Sequence, residues 1–220
     1  MNIFSDILSY PFRGSGKYIL LIGAILSLVA DLASLAPLVG GIASLFLFGY
    51  FCAVYFKIIE SSAVGGKEAP EYPELSNLME DVFWPMLQII GVMLVSFGPL
   101  WGYLIFAGKG ALPWITVALT ALGTLYAPMA ILAVVILGYM GALSPHIVFP
   151  AIVRAGWLYL ATLVLLLLIY GLQGLATHFL AGWFIIKFLI LAIVSMYCLM
   201  ANGRALGLIF RERREALNWL

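Results

Sequence analysis

Asp31 and Lys187 are the ionisable residues that the sequence sets deepest in long apolar stretches. A charge in hydrocarbon is costly, so both are functional candidates by position alone. Asp31 lies about 14 residues beyond Lys17, roughly 21 Å along a helix, and Lys187 about 17 residues before Arg204, roughly 25 Å from the same side. The matching depths leave three arrangements open. The two side chains can pair across the first and last spans, each offsetting the other's desolvation. Alternatively, Asp31 sits in the outer turn and Lys187 reaches the outer headgroups, or the two serve a proton or ion relay.

The remaining reactive residue types form no familiar constellation. His146 and His178 fall on opposite sides of the expected topology, and neither has a Cys or carboxylate at metal-ligand spacing beside it. There is no serine elbow, no HExxH helix and no pair of intramembrane carboxylates, so the expectation is a protein with no catalytic activity, cofactor or metal of its own. Cys52 and Cys198 fall inside apolar stretches and are read as small packing residues. Arg13-Gly14-Ser15-Gly16-Lys17 lacks the spacing of a phosphate loop and is read as a flexible basic hinge. Gln88, Gln173, Tyr126 and Tyr170 are scattered along the chain and define no polar stripe.

The elements that must position these residues are membrane spans. Of the 220 residues, 65% are hydrophobic and 10% charged, and the mean hydropathy is +1.13, far from the balance of a soluble domain. A net charge of +1 gives no bias toward nucleic acid. A span needs roughly 20 apolar residues. The run from Tyr18 to Ile59 holds about twice that and breaks near Pro37, which predicts a helical hairpin over 18–36 and 38–59. Further spans are expected over 86–107, 115–138, 157–173 and 179–201. The fold class is therefore all-α, a single bundle of six transmembrane helices arranged as three hairpins.

The connecting segments have their own signals. Apolar residues at helical spacing in 2–12 predict a short interfacial helix with Ser5, Asp6 and Ser9 on its polar side. Ser144-Pro145 predicts a helix start, a capping hydroxyl followed by proline, for a second interfacial element reaching Arg154. The segment from Glu60 to Asp81 is acidic and broken by Pro70 and Pro73, a solvated connector or a docking loop for a partner. After the sixth span, apolar residues alternate with Arg211, Arg213 and Arg214 in the pattern of an amphipathic helix lying on an anionic leaflet. Gly98 and Gly102 make a small-xxx-small face suited to close helix packing. Pro99 and Pro128 are candidate hinges, with Thr120 and Thr124 placed to satisfy backbone freed at Pro128.

Six spans put both termini on one side. That side holds Arg13, Lys17, Lys57, Lys67, Arg154, Arg204, Arg211, Arg213 and Arg214, with only Lys109 and Lys187 toward the other, so the termini are expected to be cytoplasmic. The first span is not read as a cleaved leader, because Pro37 would follow the cut directly and the apolar run continues to Ile59. The aromatic-proline pairs Tyr10-Pro11, Trp84-Pro85 and Phe149-Pro150 precede the odd-numbered spans, a pattern compatible with a threefold repeat of hairpin units.

Ala69-Pro70-Glu71-Tyr72-Pro73, Ser144-Pro145 with Arg154, and Gly203-Arg204-Ala205-Leu206-Gly207 with Arg211 resemble a group of prokaryotic polytopic membrane proteins classed as a domain of unknown function. The resemblance covers nearly the whole chain, although Pro73 departs from the pattern. It implies a compact six-span bundle in a bacterial or archaeal cytoplasmic membrane and brings no activity. The expected role is a scaffold or accessory subunit of a larger membrane assembly. Its partners would be lipids and other membrane subunits or further copies of the chain, met through the acidic loop, the basic tail and the Gly98 face. The alternative is a small transporter or channel for a solute, an ion or a lipid, with a pathway in the bundle gated near Pro99 or Pro128. A polar cavity at membrane depth would favour transport, and a dry core with apolar spans left facing neighbours would favour a subunit.

Overall fold

The computed structural model describes residues 3–33, 37–70, 77–179 and 184–219, without the side chains of 31–33, 37, 39, 109, 176 and 184–187. Every regular element among them is helical: α1 (Ile3–Ser9), α2 (Gly16–Ala33), α3 (Pro37–Ala63), α4 (Trp84–Ala107), α5 (Pro113–Leu137), α6 (Pro145–Phe179) and α7 (Phe184–Leu217). Proline occupies the first turn of α4 and of α5, where its missing N–H would have no intrahelical partner. Gly138 closes α5 in the left-handed conformation, φ 77°, with its N–H 2.9 Å from the Val134 carbonyl.

This is a multi-pass membrane protein. Five helices are long and apolar enough to cross a bilayer: Gly40–Ala63, Met79–Ala107, Pro113–Leu137, Pro145–Phe179 and Phe188–Leu217. A sixth forms if Ile3–Phe12 and Gly16–Ala30, which meet at a 62° bend, are taken as one broken span. The bend is an ordered corner: Gly14 has φ 49°, and a Cβ built there would lie 2.2 Å from Glu68 Oε2, so only glycine fits without displacement.

One boundary matches the sequence expectation and one differs. The break expected between the 145–154 element and the fifth span falls at Gly156 (φ 62°, ψ −140°), inside the range given for α6, where the absence of Cβ permits the non-helical turn. The expected separate amphipathic tail is instead a continuation of α7, which runs past 201 to Leu217 and leaves helical geometry only at Arg213. Leu206, Leu208, Ile209, Phe210 and Leu217 are all buried. Their spacing is that of a core helix, and protein covers the apolar face that was expected to lie on lipid.

Packing is uneven along the spans. We call near the end that holds α1, the α3–α4 connection and the end of α7, and far the end that holds the α4–α5 turn. At the near end, α5 is buried from Tyr126 to Val135 except at Pro128, α3 buries Cys52 to Phe56, and α7 buries every residue from Gly203 to Phe210. Toward the far end none of Pro113–Leu122 is buried, nor any residue of α4 beyond Ser96. Chain neighbours pack in pairs, α2 with α3, α4 with α5 and α6 with α7, and the pairs are drawn together mainly where α3 crosses α7. That crossing depends on Gly203 and Gly207. A Cβ on Gly207 would lie 2.3 Å from Ser62 Cβ and 2.6 Å from the Ile59 carbonyl oxygen, and one on Gly203 would lie 2.8 Å from Ile58 Cγ2. This is small-xxx-small packing in which the two backbones approach without intervening side chains.

Candidate functional site

At the near end the chain gathers around one arginine. Arg204, on the buried stretch of α7, is 2% exposed. Its Nε and Nη2 donate to Asp6 Oδ2 at 3.0 and 2.7 Å, and its Nη1 donates to Ser62 Oγ at 3.3 Å and to the Gly66 carbonyl. The Tyr10 ring stacks 4.8 Å from its Cζ. Asp6 also accepts from Arg13 Nη1, whose Nη2 donates to Ser9 Oγ at 2.5 Å. One residue thus ties α1, α3, the connection after α3 and α7. A guanidinium supplies five planar donors, enough to satisfy a carboxylate, a hydroxyl and a carbonyl at once, which a lysine could not do in the same geometry. Ser15 Oγ donates to the Ala69 carbonyl at 2.5 Å, so the start of the acidic connection is fastened down as well. Sequence periodicity places Asp6 on the polar side of α1, whereas the structure buries it.

The residues singled out in the sequence are dispersed. The side chains of Asp31 and Lys187 lie outside the described residues, as does 71–76 of the acidic segment. No described residue lies within 4 Å of a Cβ built on Gly98 or Gly102. Pro99 and Pro128 both lie inside continuous helices. Thr120 and Thr124 donate to the carbonyls of Thr116 and Thr120, each one turn back. It is Tyr159 of α6 that reaches the Pro128 region, donating to the Leu125 carbonyl. Ser144 does not reach forward into α6, and its hydroxyl donates back to the Gly141 carbonyl. His146 and His178 occupy the first and last turns of α6. Cys52 and Cys198 are buried free thiols. Arg214 is exposed and Arg213 half-buried, while Arg211 faces Glu212 at 3.5 Å.

A second centre lies at membrane depth. Tyr55 of α3 donates to Asn202 Oδ1 of α7 at 3.1 Å, and Asn202 Nδ2 donates to the Tyr170 hydroxyl of α6 at 2.9 Å. One turn further, Gln173 Nε2 donates to Ser195 Oγ at 2.8 Å. These groups line one side of a groove of about 370 Å³ whose other walls are apolar, including Phe48, Met93 and Ile131. α4 and α6 do not touch among the described residues, and the groove lies between them. By helical rise, Tyr55 is about 12 Å from the near end of α3, and Ser195 lies about 10 Å beyond Asn202, so the stripe spans the middle of a bilayer about 30 Å thick. Gln173 and Tyr170 look scattered in the sequence, and the pairing of α6 with α7 is what aligns them.

Among the described residues no three His, Cys, Asp or Glu side chains are grouped so as to hold a metal ion. The chain matches no known family model, no curated protein and no solved structure. Its function has to be argued from its own geometry.

Proposed function

We propose that the chain is a scaffold or accessory subunit of a larger membrane assembly, with six spans, both termini cytoplasmic and no catalytic activity of its own. The observation that carries this reading is the unevenness of packing. The near end is cemented by an apolar cluster around α3, α5 and α7 and by the Arg204 contacts, whereas the far halves of α4 and α5 present apolar residues that no described residue covers, with Ile105 78% and Phe106 92% exposed. Gly98 and Gly102 lie open beside that surface, and small residues let a neighbouring helix approach closely. Bacterial or archaeal origin and any threefold repeat belong to the same proposal.

Native mass spectrometry after gentle extraction tests it. The expected result is a stoichiometric complex with another membrane protein, lost in a Gly98→Leu, Gly102→Leu double variant whose own melting temperature is unchanged. A chain released as a monomer under every mild condition would overturn it. The lateral groove favours a second reading, in which the chain moves a small solute, an ion or a lipid, because it sets polar groups at membrane depth.

A further inference from the structure

The polar stripe between α4 and α6 has hydrogen-bonding capacity that the described residues do not use. The Tyr170 hydroxyl accepts from Asn202, and no described residue accepts its own proton. Gln173 spends one amide N–H on Ser195, and no described residue donates to its carbonyl oxygen. Tyr170 is 46% exposed, on the open side of the groove. In hydrocarbon there is no water to complete such groups, and an unsatisfied polar atom there costs several kcal/mol. Something from the bilayer that both accepts and donates would complete both at once.

The lining constrains what that is. None of the residues around the groove carries a charge, which disfavours a phosphate or ammonium head. A volume of about 370 Å³ is at the small end of ligand sites. It accommodates a compact head and a few methylenes, with longer chains lying outside along apolar helix faces. The groove opens sideways at membrane depth, so it is filled by lateral diffusion within the bilayer.

We propose that this groove binds an uncharged amphiphile of the bilayer whose head bears a free hydroxyl, as in a diacylglycerol or a long-chain alcohol. Its hydroxyl accepts from Tyr170 and donates to the Gln173 carbonyl, while its chain packs beside Phe48 and Met93. This does not rest on the subunit reading, since a scaffold and a transporter could each hold such a molecule.

The test uses the full chain in phosphatidylcholine nanodiscs doped with a diacylglycerol that carries a photoactivatable diazirine in one acyl chain. Saturable labelling of α3 and α4 around Phe48 and Met93, where the acyl chain lies, is expected, competed by dioleoylglycerol and several-fold less well by its methyl ether, which cannot donate. Tyr170→Phe and Gln173→Leu, neither at a buried position, should each weaken labelling about three- to tenfold, the effect of one hydrogen bond in a membrane interior. Asn202→Leu should weaken it further, and if that variant fails to fold the other two still decide. Labelling that does not saturate, or that is equal on the far faces of α4 and α5, overturns the proposal. Equal competition by phosphatidylglycerol overturns it in favour of a charged head. Efficient disulfide dimerisation of a Gln173→Cys variant overturns it in favour of a second copy seated in the groove.

Discussion

The two ends of the bundle are built from the same helices and solve opposite problems. At the near end the helices converge until backbones touch, with Gly207 against Ser62 and Ile59, and a charged residue is affordable there because every face of it is bonded. Toward the far end the described residues of α4 and α5 leave apolar side chains exposed to whatever surrounds them. The lesson is that hydropathy alone does not report packing. Ala130 is fully buried at the near end of α5 and Val117 is largely exposed toward its far end, although the helix is apolar throughout. Tertiary convergence is set by a few glycines and one polar cluster.

The largest effect should come from attacking that cluster. Arg204→Met leaves Asp6 buried with only Arg13 beside it and should destabilise the protein by about 3–5 kcal/mol in equilibrium unfolding in detergent or bicelles. Arg204→Met combined with Asp6→Leu should recover much of the loss, because the uncompensated buried charge is gone. An additive double variant would mean that the two residues stabilise the near end independently.

Next in size is the helix crossing. Gly207→Leu should cost about 1–3 kcal/mol by forcing α3 and α7 apart. Tyr159→Phe removes the donor to the Leu125 carbonyl near Pro128 and should cost about 0.6–1.7 kcal/mol, the range for a hydrogen bond inside a membrane protein. Smallest of all, Gly102→Leu at the far end should change the unfolding free energy of the isolated chain by less than about 0.5 kcal/mol, since no described residue lies within 4 Å of the new Cβ. If Gly102→Leu were as costly as Gly207→Leu, the contrast between the two ends would be wrong.

These two glycine pairs also show how far a sequence can be read. Gly98-xxx-Gly102 and Gly203-xxx-Gly207 carry the same local signal, yet no described residue lies within 4 Å of a Cβ built on the first pair and the second makes a close crossing between helix pairs. The spacing says that close approach is possible, and only the neighbouring helix decides whether it happens. Periodicity puts Asp6 on a polar face because it sees one helix at a time. Its partner, Arg204, is 198 positions away, and no local pattern links them. A single charged residue in the helix at 3–9, with arginines at 13 and 204 in the chain, is the available signal. The groove stripe was hidden for the same reason, since Tyr55, Tyr170 and Asn202 belong to three helices.

What the sequence by itself determined is the membrane class, the positions of the long apolar helices and the prolines and glycines that begin and end them. Those features follow from bilayer thickness, from helical rise and from the backbone limits of single residues, all of them local quantities. What only the tertiary structure decided is which polar groups meet, which small residues are used and which apolar faces are left open. Those depend on contacts between segments distant in the chain, where apolar patterning is nearly uniform and so does not distinguish a face that meets protein from one that meets lipid.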